Sequence, residues 1–173
     1  MPILLTGGSA SGKSTYAEWL ALTFPPPHYY IATMRVMDQE GQAKVNRHQA
    51  LRQGKGFITL EQDQDLGLLA LDQPGTVLLE CMCNLTANEM FDREGRIRDV
   101  YDKILADLIS LEKSSRQLIV VTNEVGSDGI RYGAGTRAYI ELLGRLNRAL
   151  AARYDTVLEL VAGIPLVLKG DMP

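Results

Sequence analysis

The stretch TGGSASGKST, residues 6–15, decides how the rest of the chain is read. The apolar PILL (2–5) precedes it and YAEWLALTF (16–24) follows, so a strand leads into the loop and a helix leads out. The spacing is G-x-x-x-x-G-K-[ST], with Gly7, Gly12, Lys13 and Ser14 at the fixed positions. Glycines at 7 and 12 let the backbone curl until successive N–H groups point inward at an anion. The helix adds the positive end of its dipole, Lys13 reaches the terminal phosphates, and the Ser14 hydroxyl suits a Mg²⁺ ion. Gly8, Ser9, Ala10 and Ser11 complete the cradle.

Outward from the loop, short apolar runs alternate with longer amphipathic ones. HYYIAT (28–33), GFITLE (56–61), TVLLEC (76–81) and QLIVVTNE (117–124) read as strands. Helices are expected over 38–53, 63–71, 97–113 and 136–154. TVLELVAGIPLVLKG (156–170) reads as two strands joined by a tight Gly-Ile-Pro turn, an antiparallel hairpin at one edge. Continuous apolar strands separated by helices predict a mostly parallel sheet covered on both faces. No repeat or linker interrupts the pattern, and one domain over 1–173 is expected.

The 173 residues are 46% hydrophobic and 23% charged, with a formal net charge of −3. A weakly acidic chain without a Lys/Arg cluster is a poor nucleic-acid or anionic-membrane binder. No apolar stretch of about 18 residues is present to span a membrane, and no signal-peptide pattern opens the chain. The two cysteines, Cys81 and Cys83, read as reduced thiols at the end of a buried strand, which fits a cytoplasmic protein.

A metal-side carboxylate is expected at the end of a buried strand. Glu80, closing TVLLE, fits; Glu124 in VVTNE is the runner-up. D-x-x-G occurs at 38–41, 72–75 and 92–95, but N-K-x-D, which would read a guanine base in a signalling GTPase, does not occur. Of two histidines, His28 stands at a strand entrance and reads as structural. His48 lies among Lys44, Arg47, Arg52 and Lys55. Neighbouring cations disfavour imidazolium and attract phosphate, the setting for a nucleophile at phosphorus. From spacing alone, a solvated helix face remains the simpler reading of that segment.

The ordered set of motifs resembles one family along nearly the whole chain. ILLTGGSASGKS, YIAT with D-x-E at 38–40, RH with Arg52 downstream, F-x-T-x-E at 57–61, LLEC, VVTNEVG, LGRLNRALA and AGIPLVLKG are similar to the bifunctional adenosylcobinamide kinase/adenosylcobinamide-phosphate guanylyltransferases of cobalamin biosynthesis. The resemblance implies phosphorylation of the aminopropanol hydroxyl of adenosylcobinamide by ATP or GTP. GMP transfer from GTP to that phosphate then follows, through GMP bonded to a histidine. It assigns His48 as that histidine, with Lys13 as the second catalytic residue. It places Ala32, Thr33, Met34, Gln49, Arg52, Glu61 and Glu80 at the nucleotide, Ser14 and Glu80 at Mg²⁺, and the chain in a homotrimer. The implied fold is P-loop NTPase-like (RecA-like). The chain departs from many members at Ala10, where a basic residue is common, at Phe57 and Arg47, and over 127–139. A P-loop kinase without guanylyltransferase activity and a non-catalytic nucleotide-binding assembly protein are the alternatives.

Overall fold

The computed structural model describes residues 1–35, 54–92, 94–126 and 129–173. The helix expected over 38–53 therefore lies outside the described residues. Seven strands form one sheet: β1 (Ile3–Gly7), β2 (His28–Ala32), β3 (Phe57–Glu61), β4 (Thr76–Glu80), β5 (Gln117–Val121), β6 (Thr156–Val161) and β7 (Ile164–Lys169). Their order is β3-β2-β4-β5-β1-β6-β7. All neighbours are parallel except β6 and β7, which pair antiparallel at the edge as the sequence predicts.

Alternation along the strands builds two cores. Leu4, Ile31, Val77, Leu79, Leu118 and Val120 face α2 (Met82–Met90), α3 (Tyr101–Ser114) and α4 (Ala134–Arg153). Ile3, Leu5, Tyr30, Leu78, Ile119 and Val121 face α1 (Lys13–Thr23) through Ala17, Leu20 and Ala21. The interiors of β1, β2, β4, β5 and β6 are thus buried on both sides, which explains why these segments are continuously apolar rather than alternating, while the edge strands β3 and β7 are largely exposed.

Three local expectations change. Residues 63–71 form only a single 3₁₀ turn, Leu66–Leu68. Asp65 takes a left-handed φ of 54° there, and Gly67 packs closely against Asp107, whose carboxylate oxygen would stand 2.5 Å from a Cβ at 67. The helix expected from Ile97 begins at Tyr101 instead; Ile97 is exposed and bridges Phe91. The β6–β7 turn is Ala162-Gly163, both at positive φ, while Ile164 and Pro165 already belong to β7. α2 was not anticipated at all.

β1 sends its helix to one face of the sheet, whereas β4 and β5 send theirs to the other. The C-terminal ends of β1 and β5 therefore border a crevice where connections diverge, the place where open α/β sheets bind ligands.

Candidate active site

The loop after β1 is shaped by what its backbone must clear. Gly7 has φ 142°, and a Cβ there would stand 2.4 Å from the Leu160 carbonyl oxygen on β6. Only glycine fits. Gly12, at φ 92°, turns the chain into α1. Ala10 is left-handed at φ 56° without being glycine. The Gly163 N–H donates to the Ser11 carbonyl at 2.9 Å, so the β6–β7 turn braces the loop from outside.

Lys13 is buried, and its ammonium donates to the Gly7 and Gly8 carbonyls at 2.9 and 2.6 Å. Burial lowers its pKa, against an opposing pull from Cys83, Cys81 and Glu80. The Ser14 hydroxyl donates to Glu80 Oε1. The Tyr30 hydroxyl donates to Glu80 Oε2 at 2.8 Å, holding the carboxylate from its other side. Residues 9–15 with Glu80, Cys81, Val121 and Asn123 enclose a cavity of about 370 Å³.

Strand register sets the wider site. Glu61, Ala32, Glu80 and Val121 lie in one row across β3, β2, β4 and β5 at their C-terminal ends. Parallel neighbours in register point to one face, here the face of α1. Two strand spacings put the backbones of Glu61 and Glu80 about 10 Å apart, on the same edge of the site. Thr33 is fully buried and latches β2 to β4: its hydroxyl donates to the Cys81 carbonyl at 2.9 Å and lies 2.8 Å from the Cys81 N–H. Met34 is half-buried just beyond it. The Glu80–Cys81 peptide is cis. Cys81 and Cys83 are both free thiols. Their mutual hydrogen bond holds the Cys83 pKa down and, with burial, pushes that of Cys81 up.

The structure thus brings the loop residues Gly7 to Ser14 together with Glu80, and sets Ala32 and Glu61 along the same edge. Glu124 is exposed, and the Ser14 hydroxyl bonds Glu80 instead. His48, Gln49 and Arg52 lie outside the described residues. His28 is a strand-entrance residue, its Nε2 2.9 Å from the Phe24 carbonyl oxygen. Sequence reasoning missed Tyr30. Its pairing with Leu78, two residues before Glu80 on the same face, becomes visible only with the register.

Residues 3–168 match the family model of cobinamide kinase/cobinamide phosphate guanyltransferase. The chain belongs to this family. It is 31% identical to the bifunctional adenosylcobalamin biosynthesis protein CobU of Salmonella typhimurium, across 98% of this chain and all of the relative. It is 34% identical to the protein of the same name in Escherichia coli K12, again across 98% and 100%. CobP of Pseudomonas aeruginosa is 33% identical, with 97% of each chain covered. An ATPase from the type III secretion system of pathogenic bacteria shares the fold at a TM-score of 0.55 and 17% identity, over 91% of this chain and 51% of the ATPase. This chain thus carries its phosphate loop on a sheet of the same fold as that ATPase. No helix among the described residues is long and apolar enough to cross a membrane.

Proposed function

We propose that this chain catalyses two successive transfers: phosphorylation of adenosylcobinamide by ATP or GTP, then transfer of GMP from GTP to the new phosphate. The observation that carries the reading is the Lys13–Ser14–Glu80 constellation at the crevice. It sits inside a family match that spans almost the whole chain.

In the first transfer the acceptor hydroxyl oxygen attacks the γ-phosphorus. The β–γ bridging bond breaks, the nucleoside diphosphate leaves with the electron pair, and a proton passes to solvent. The loop's N–H groups and the α1 N-terminus hold the phosphates, and Lys13 exchanges its two carbonyl partners for phosphate oxygens. The hydroxyl of Ser14 and the carboxylate of Glu80 are hard oxygen donors already placed together, and Tyr30 orients the carboxylate. They fit Mg²⁺, which neutralises phosphate charge when bound. In the second transfer an imidazole nitrogen of His48 attacks the α-phosphorus of GTP and pyrophosphate leaves. The acceptor's phosphate oxygen then attacks that phosphorus, the P–N bond breaks, and His48 regains its electron pair. Ala32 and Glu61 supply the nucleotide edge of the site, with Thr33 and Met34 beside it, and in this reading Gln49 and Arg52 also contact the nucleotide.

In this reading the protein is one domain, works in the cytoplasm and assembles as a homotrimer. The exposed apolar side chains of β7 (Ile164, Leu166 and Leu168) support self-association. The test is phosphoryl transfer from γ-labelled ATP to adenosylcobinamide. Lys13→Ala should lower it by at least 100-fold, in line with losing a preorganised charge at the transferring group. Unchanged transfer in that variant would contradict the reading.

A further inference from the structure

A transfer to a large acceptor needs a place for the acceptor beside the phosphates, and the structure has one that the phosphate loop does not use. A second cleft, of about 470 Å³, runs between residues 123–126 and one face of α4. Asn123 lines both this cleft and the phosphate-loop cavity, so the two adjoin at that residue. The phosphate loop and the start of α1 line the adjoining cavity. An oxygen approaching the terminal phosphorus in line must come from outside that grip and reach about 3–3.5 Å. The Asn123 cleft is the described space that adjoins the loop cavity outside that grip.

Its lining is built and chemically specific. The Thr122 hydroxyl donates to Asn147 Oδ1 at 2.8 Å, and Asn147 Nδ2 donates to the Asn123 carbonyl at 3.4 Å. These bonds tie the β5 end to α4 and fix the floor. Ile140 and Leu143 give it an apolar wall. Arg148 folds back one turn, its Nη1 lying at van der Waals distance (3.5 Å) from where a Cβ at Gly144 would stand. Arg148 also lines the cleft. It has no ion-pair partner among the described residues. Its neighbours on α4 are committed elsewhere, Arg145 on the Tyr101 ring at 4.3 Å and Arg153 on Glu112 at 2.7 Å. Glu124 and Glu141 stand at the cleft as acceptors for hydroxyl or amide N–H groups.

We propose that this cleft holds the reacting arm of the acceptor, with its hydroxyl and amide donors met by Glu124 and Glu141 and its phosphate monoester met by Arg148. The assignment rests on the two-transfer reading and adds Arg148 as the residue that recognises the product of the first transfer as the substrate of the second. A guanidinium pairs with a phosphate through a planar two-point contact that the alcohol cannot make.

Equilibrium binding of cobinamide phosphate and of cobinamide, read by corrin absorbance on the full chain, tests this. Arg148→Ala should weaken binding of the phosphate about tenfold or more and that of the alcohol less than threefold. Arg148→Lys should recover part of the loss. Arg145→Ala, which removes the same charge from the same helix, should change phosphate binding by less than twofold. GTP affinity in each preparation reports that the loop is folded. Equal losses in Arg145→Ala and Arg148→Ala, equal effects on phosphate and alcohol, or no binding of either corrinoid to the wild type would each overturn the proposal. Corrinoid binding that follows this pattern without any turnover would uphold the cleft and overturn the two-transfer reading instead.

Discussion

Glu80 is the residue on which the described site turns. Ser14 and Tyr30 hold its two oxygens, so its position is fixed before any nucleotide arrives. Glu80→Gln keeps the size and the strand but removes the charge. It should lower kcat for phosphoryl transfer 100-fold or more with little change in melting temperature; an activity loss below tenfold would remove Glu80 from the reaction. Lys13 makes a pH prediction with two signs. Burial lowers its folded pKa below the 10.5 of an ordinary lysine. Between those two values the unfolded chain binds more protons, so this group's contribution to stability rises with pH. Activity needs the cation and should fall in the same window. Rate and thermal-melt profiles above neutral pH therefore diverge in wild type, and in Lys13→Met the alkaline rise in stability should shrink. Tyr154 makes a third case. It is fully buried and its hydroxyl has no partner among the described residues. Tyr154→Phe should raise stability by about 1 kcal/mol, measured by urea denaturation, because an unmet buried polar group is removed.

At the scale of elements, the central strands β1, β2, β4, β5 and β6 were legible because each is buried on both faces, which leaves an uninterrupted apolar run. α4 was legible for a different reason: Leu142, Leu143, Leu146 and Leu150 repeat at helical spacing and form one buried stripe. Leu146→Ala should cost about 3 kcal/mol, read as a drop in the denaturation midpoint, since its side chain is wholly enclosed. α2 was hidden because its sequence, MCNLTANEM, mixes polar and apolar residues over little more than two turns. Tertiary packing of Met82, Leu85 and Met90 makes that helix, and propensity does not announce it. The 63–71 segment failed in the opposite direction. Its leucines have helical spacing, but Gly67 packs against Asp107 on α3 and the chain makes only one turn.

At the scale of the molecule, the sequence located the phosphate loop and Glu80 but not the row that joins Glu61, Ala32, Glu80 and Val121. That row depends on strand order, and a parallel sheet whose third and second strands both lie beyond the fourth cannot be ordered from hydrophobic runs. The same order places the loop next to β5 and therefore next to the Asn123 cleft. It also leaves β7 as an edge strand with Ile164, Leu166 and Leu168 exposed. If that strand is covered by neighbouring copies, light scattering should give three protomer masses, and Leu166→Glu with Leu168→Glu should give one; a monomeric wild type would contradict the trimer. One phosphate holder serves chemistry at two phosphorus atoms, and incubating the protein with Mg²⁺ and α-labelled GTP without acceptor puts this to the test. Wild-type protein should take up an acid-labile, base-stable label that is lost in Lys13→Ala and in His48→Ala. A wild-type chain that takes up no label, or a label that survives His48→Ala, would contradict it.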